Sequence, residues 1–265
     1  MAVFEGTIFS KALNKDTHLT VVLPHDCRPH VGINGKLVNG IKPHAHPHTM
    51  ILLHGYTDCD STWVRRTSLE RYAELYDMAI VMPDGESSFY NNMVYGPKFF
   101  DYVTDELPQL ASELFQVAVD PENLYIGGLS MGGYGALLCA LTYPERYAGC
   151  AAFSSGADIK GTLDLVLEPS LAKDMGTSMK AIFGDPIVIP DTSDLFWLAE
   201  RVPSDLNLYM TCGRQDFTYE ANAKLRDVLK KNNNVHLEWE EWDGIHEWGF
   251  WDVSIARFFE KYITD

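Results

Sequence analysis

The sequence predicts an α/β protein whose mostly parallel sheet carries helices on both faces. From residue 49 onward, short apolar runs alternate with stretches of helical spacing, the rhythm of repeated strand–helix units. Two period-2 stretches stand before them and read as an antiparallel opening to that sheet. The 265 residues suit one large α/β domain, so 1–265 reads as a single unit.

The elements follow in order. Alternation near 2–9 and 18–24 gives the two opening strands. Residues 25–48 are rich in Pro, Gly and His without an apolar period and read as a long loop. MILLHG (50–55) is a continuous apolar run ended by glycine, as a strand buried on both faces requires. Residues 61–77 begin at a Ser cap and space Trp63, Leu69, Tyr72 and Leu75 as a helix. A strand at 78–83, an aromatic loop at 85–98 and a helix near 99–116 come next. Then NLYIGGLS (123–130) is a strand, the small-residue segment from Met131 a helix, and YAGCAAFS (147–154) a strand. The last strands are 207–213 and 235–242, with helices near 217–232 and 248–262. Between them, residues 157–204 exceed an ordinary crossover and contain two short helical patterns; a small cap insertion over the site is expected there.

Composition narrows the function. The net charge is −16, from 21 Lys+Arg against 37 Asp+Glu. Such a field repels phosphate backbones and anionic lipid surfaces, which argues against nucleic acid and membrane partners. No run of 18 apolar residues occurs, and the N-terminus lacks the basic start and apolar stretch of a secretory signal. Cys27, Cys59, Cys139, Cys150 and Cys212 form no CxxC pair and are odd in number. A cytoplasmic location is the expectation.

The chemistry is carried by Gly128-Leu129-Ser130-Met131-Gly132, a G-x-S-x-G nucleophile elbow of the α/β-hydrolase kind. Alone the pattern is common, but here an apolar strand precedes it and a small-residue helix follows. So tight a turn needs glycine on either side, and it lifts the serine Oγ above the sheet. The helix N-terminus then turns its free N–H groups toward developing negative charge.

A serine hydroxyl needs a base, and in this fold the order is Ser, acid, His. Two histidines follow Ser130. His236 lies mid-strand, whereas His246 lies in the loop after the last strand and takes the role. The acid belongs after the penultimate strand, where Asp216 stands; helix capping is its ordinary alternative. Asp243 and Asp158 are rivals less well placed by strand order. Two backbone N–H groups, of Met131 and Tyr56, are the candidate oxyanion donors. His54 reads as a hydrogen-bonded structural residue.

The segments 52–67, 90–108, 128–137, 212–222 and 244–252 together resemble the esterase D-like serine esterases, most closely the tributyrin and feruloyl esterase group. The resemblance implies the eight-stranded α/β-hydrolase fold, no cofactor, and assembly into homo-oligomers. It puts Ser130, Asp216 and His246 on the family's triad, with Tyr56 and Met131 on its oxyanion positions. The histidine-rich segment 25–48 departs from the pattern.

The expected reaction is hydrolysis of small carboxylic esters through an acyl-enzyme on Ser130. Aromatic residues in the loops, with Trp63, Tyr95, Phe217 and Trp248 as pocket candidates, suggest a compact apolar site. No long hydrophobic lid is visible, so acetyl to butyryl groups are expected, including esters of acetylated or feruloylated sugars. The alternatives are a thioesterase acting on S-formylglutathione and an acyltransferase to a sugar hydroxyl. A non-catalytic binding module would have lost a catalytic residue, and none is missing. His44, His46 and His48 share a face of an extended chain, but no further ligand completes a metal set, and a solvated loop is expected.

Overall fold

A computed structural model describes residues 1–25, 30–31, 37–38, 47–164 and 169–263. The chain opens with β1 (Ala2–Ser10) and β2 (Lys15–Leu23), then a two-stranded pair, β3 (His30–Val31) and β4 (Leu37–Val38). After β5 (His48–Leu53) come α1 (Thr62–Arg66), α2 (Leu69–Leu75) and β6 (Met78–Pro83). Next are α3 (Phe99–Asp101), a π-helical turn (Tyr102–Glu106) and α4 (Leu107–Phe115). β7 (Leu124–Leu129) leads into α5 (Met131–Thr142), followed by β8 (Gly149–Phe153). Helices α6 (Pro169–Phe183) and α7 (Leu195–Ala199) precede β9 (Leu206–Gly213). The chain closes with α8 (Tyr219–Leu229), β10 (Val235–Trp242) and α9 (Trp248–Tyr262).

Eight strands form one sheet in the order β1-β2-β6-β5-β7-β8-β9-β10. Only the β1/β2 and β2/β6 pairings are antiparallel; β6 through β10 run parallel. From β5 the chain first steps outward to β6 and then crosses back to β7 on the other side. That reversal opens a crevice at the carboxyl ends of β5 and β7, where ligands bind in open α/β sheets.

Strands β6, β7 and β8 are buried along their whole length, which explains their unbroken apolar runs. Alternate residues feed two cores. Ile51 and Leu53 of β5 join one with α4, α5, α6, α7 and α8; Met50 and Leu52 join the other with α1, α2 and α9.

Three departures from the sequence reading have local causes. The single helix expected over 61–77 is two, because Thr67 turns extended between them. Its Oγ1 donates to the Trp63 carbonyl and accepts the Leu69 N–H, while Asp252 of α9 accepts the Ser68 N–H. Short polar side chains thus compete with the helical bonds. The helix near 99–116 contains the π-turn because Pro108 has no N–H to donate to Thr104, and Arg146 Nη1 fills that carbonyl at 3.1 Å. Segment 25–48, expected as loop, holds the β3–β4 pair; His44 and His46 of the histidine motif lie outside the described residues.

The insertion 157–204 contributes Met175, Met179, Ile182, Leu195 and Leu198 to the α5-side core. Carbonyls of Ala181 and Ile182 accept the N–H groups of Tyr95 and Val94. Ser193 Oγ donates to Asn91, and its carbonyl accepts the Tyr134 hydroxyl. The insertion is therefore stitched to the aromatic loop and to α5. No helix among the described residues is long and apolar enough to cross a membrane.

Glu106 ties the first hairpin to the rest. Its carboxylate accepts from Ser10 Oγ (2.5 Å) and from the N–H groups of Lys11 (2.7 Å) and Ala12 (3.0 Å). Burial pushes its pKa up, but those donors more than offset this and hold it below the ordinary glutamate value. A depressed carboxyl stabilises the fold above its unfolded pKa and loses that contribution as pH falls through the folded one. Glu106→Ala should therefore cost about 1–3 kcal/mol in urea unfolding at pH 7. The difference from wild type should shrink as pH drops below the usual carboxylate range.

Candidate active site

Ser130 stands between the end of β7 and the start of α5 with φ 52° and ψ −117°. An L-residue holds such a backbone only where its surroundings enforce it. Here the Ser130 N–H donates to Phe153 (3.0 Å), and its carbonyl accepts from Gly156 (2.9 Å) and Tyr134 (3.0 Å). The two flanking glycines are required by contact. A methyl on Gly128 would lie 2.5 Å from the Gly132 carbonyl, and one on Gly132 would lie 2.3 Å from that of Leu53. Thr57, Phe89, Tyr90 and Ser154 also have positive φ, so backbone strain gathers in the loops at this edge of the sheet.

His246 Nε2 is 3.0 Å from Ser130 Oγ, and His246 Nδ1 is 2.9 Å from Asp216 Oδ2. The arrangement arises from adjacent parallel strands, because β9 and β10 release their loops at the same edge. The two loops zip together: Arg214 N–H donates to Trp242, Gln215 N–H to Gly244, and Gly244 N–H to the Gln215 side chain. Beyond the zip, Glu247 caps α9 by accepting the Gly249 and Phe250 N–H groups. The imidazole is gripped by Phe217, with ring centroids 4.4 Å apart, and by Trp251 edge-on at 4.9 Å.

The Asp216 carboxylate is fully buried, while the His246 side chain keeps 18% of its surface. Burial alone would raise the carboxyl's pKa. The His246 hydrogen bond and charge and the Thr218 N–H outweigh it, and Asp216 is held below the ordinary aspartate value. It also accepts the Thr218 hydroxyl at 2.9 Å. Asp216 lies two residues ahead of Thr218, the N-cap of α8, so it closes a turn before the helix and does not cap it. With a carboxylate at Nδ1, that nitrogen carries the ring proton and Nε2 is left to accept the one from Ser130.

The rival residues are engaged elsewhere. Asp243 is exposed and paired with Arg214, Asp158 closes a turn by accepting the Gly161 N–H, and exposed His236 faces Asp205. His54 is buried, its Nδ1 donating to the Gly55 carbonyl and its Nε2 accepting the Gly85 N–H. Among the described residues no cluster of three or more His, Cys, Asp or Glu could hold a metal ion.

Ser130 and His246 open into a cavity of about 380 Å³, also lined by Gly55, Tyr56, Asp58, Glu247, Trp248 and Trp251. None of its lining comes from the described residues of 157–204; the insertion touches this loop through a Tyr56–Ser178 hydroxyl contact of 3.0 Å. Met131 heads α5, where no helical carbonyl receives its N–H. Of the four pocket candidates, Trp248 lines the cavity and Phe217 covers the imidazole. Trp63 does not line it: fully buried, it donates to Leu53 and packs behind Trp248 at 5.3 Å. Tyr95 is exposed beside α6, away from the cavity lining. Sequence reasoning missed Asp58, Trp251 and Glu247. Asp58 could have been found as the second residue after Tyr56 in the loop after β5, and Trp251 as one helical turn beyond Trp248.

A family model described as "Putative esterase" matches residues 10–262. An acetyl esterase of Caldicellulosiruptor saccharolyticus is 30% identical over 266 residues, covering 98% of this chain and 97% of that one. Two solved Staphylococcus aureus structures are each 28% identical. The fluorophosphonate-binding serine hydrolase FphF has a TM-score of 0.82 over 100% of this chain and 99% of its own. The S-formylglutathione hydrolase FrmB has 0.79 over 99% of both.

The tight elbow makes a contrast between two glycines measurable. Gly132→Ala should lower the unfolding free energy by at least about 1–3 kcal/mol, since backbone rather than a side-chain tip blocks the methyl. At Gly176, in α6, a Cβ meets nothing within 4 Å, and Gly176→Ala should leave stability equal or raise it by up to about 1 kcal/mol.

Proposed function

The chain belongs to the esterase family of the α/β-hydrolase superfamily and is a carboxylic ester hydrolase, and we propose that it cleaves short-chain acyl esters with Ser130 as nucleophile, His246 as base and Asp216 as orienting acid. The observation that carries this is the unbroken relay of contacts, 3.0 Å from Ser130 Oγ to His246 Nε2 and 2.9 Å from Nδ1 to Asp216.

Nε2 takes the hydroxyl proton as Oγ attacks the acyl carbon. The tetrahedral oxyanion is met by the N–H groups of Met131 and Tyr56. The imidazolium then gives its proton to the departing alcohol, leaving an acyl-Ser130. Water repeats the sequence, and the carboxylic acid leaves. Asp216 keeps its charge throughout, holding the imidazole in the working tautomer and stabilising its cation.

Acetyl to butyryl groups are the acyl range this reading takes. The compact cavity supports it, and so does the likeness to an acetyl esterase. We place the enzyme in the cytoplasm, a reading supported by the unpaired thiols of Cys59, Cys139, Cys150 and Cys212.

Ser130→Ala and Asp216→Asn should each lower kcat for 4-nitrophenyl butyrate by about a thousandfold or more, and thermal unfolding of Ser130→Ala should be unchanged. Full activity surviving in Ser130→Ala would refute the mechanism. Across a nitrophenyl ester series, kcat/KM should peak between acetyl and butyryl; a maximum at octanoyl or beyond contradicts the short-acyl reading. Turnover of S-formylglutathione well above that of butyrate esters would favour the thioesterase instead.

A further inference from the structure

Beside the nucleophile stands a carboxylate that the triad does not use. A methyl placed on Gly55 would touch Asp58 Oδ2 at 3.0 Å and Ser130 Cβ at 3.6 Å, so both side chains crowd the same point of the loop after β5. Asp58 lines the same cavity as Ser130 and His246 and is half-buried. Of the other charged residues in that lining, Glu247 has both carboxylate oxygens engaged in capping α9. Among the described residues no Lys or Arg belongs to it.

Asp58 is left without a side-chain donor. Burial, the largest influence, raises its pKa, and the Gly55 N–H and the charges of Arg66 and Arg65 offset this only in part. Both arginines are exposed and face solvent. A carboxylate that has given up water for a single main-chain donor is costly unless something entering the cavity supplies another.

We propose that Asp58 selects substrates by charge, admitting esters whose group beside the scissile bond is neutral or cationic and rejecting those in which it is anionic. The proposal rests on the esterase reading with Ser130 as nucleophile and adds a substrate class to it. Charge at this range, in a cavity only partly open to water, is felt strongly enough to sort substrates. It also bears on the leaving group: the glutathione portion of a thioester carries two carboxylates, whereas a sugar or polyol carries none.

The test uses three acetyl esters of matched shape: phenyl acetate, 3-acetoxybenzoate and 3-acetoxyphenyl-trimethylammonium. In the wild-type protein, kcat/KM should rank cation and neutral above anion, with the gap narrowing in 0.5 M salt. In Asp58→Asn the anion-to-neutral ratio should rise about tenfold and the cation-to-neutral ratio fall by a similar factor. Asp58→Glu should keep the wild-type ranking. Ratios in Asp58→Asn within twofold of wild type, or a wild-type ranking indifferent to salt, would overturn the proposal. Failure of the wild-type protein to cleave phenyl acetate, or retention of that activity in Ser130→Ala, would instead bring down the esterase reading and this proposal with it.

Discussion

The turn between β7 and α5 is wound so tightly against the end of β5 that only hydrogen fits at two places. Gly128 meets Gly132 across the turn, and Gly132 meets the Leu53 carbonyl. This near-contact of three backbone segments forces Ser130 into its strained conformation and fixes its height above the sheet. It also sets the loop after β5, with Gly55 and Tyr56, beside the serine instead of above it. The positions of Ser130, the α5 N-terminus and the proposed oxyanion loop are therefore consequences of one packing constraint.

The other half of the site is built separately and brought to the first. β9 and β10 are parallel neighbours, and their loops are joined by main-chain bonds before either functional side chain is considered. Burying a carboxylate such as Asp216 is unfavourable without compensation, and the compensation is local: a backbone N–H and a hydroxyl from Thr218, then the imidazole. Phe217 and Trp251 pack against the ring and restrict it, and His246 Nε2 lies 3.0 Å from Ser130 Oγ.

Much of this was legible in the sequence, and the reasons are physical. Strands buried on both faces must be apolar throughout, so MAIVMP and LYIGGL announce themselves. A reactive serine in so tight a turn must have its glycines. Chain order together with position relative to the strands then separated His246 from His236 and Asp216 from Asp243. What stayed hidden depends on contacts between distant segments. Asp252 breaks a helix nearly two hundred residues away in sequence by accepting from Ser68. Trp63 has the composition of a pocket residue but faces the sheet, where periodicity assigns it no particular neighbour. Asp58 is an ordinary loop acid until β7 is seen to bring Ser130 alongside it.

Tyr56 faces two ways. Its main chain belongs to the loop beside Ser130, and its phenol reaches Ser178 on α6, in the insertion. One residue thereby joins the insertion to the loop beside Ser130. Substitutions accumulating on that outer helix are consequently not free of the chemistry, although none of them touches the cavity. Evolution of the insertion and tuning of the proposed oxyanion donor are bound to proceed together.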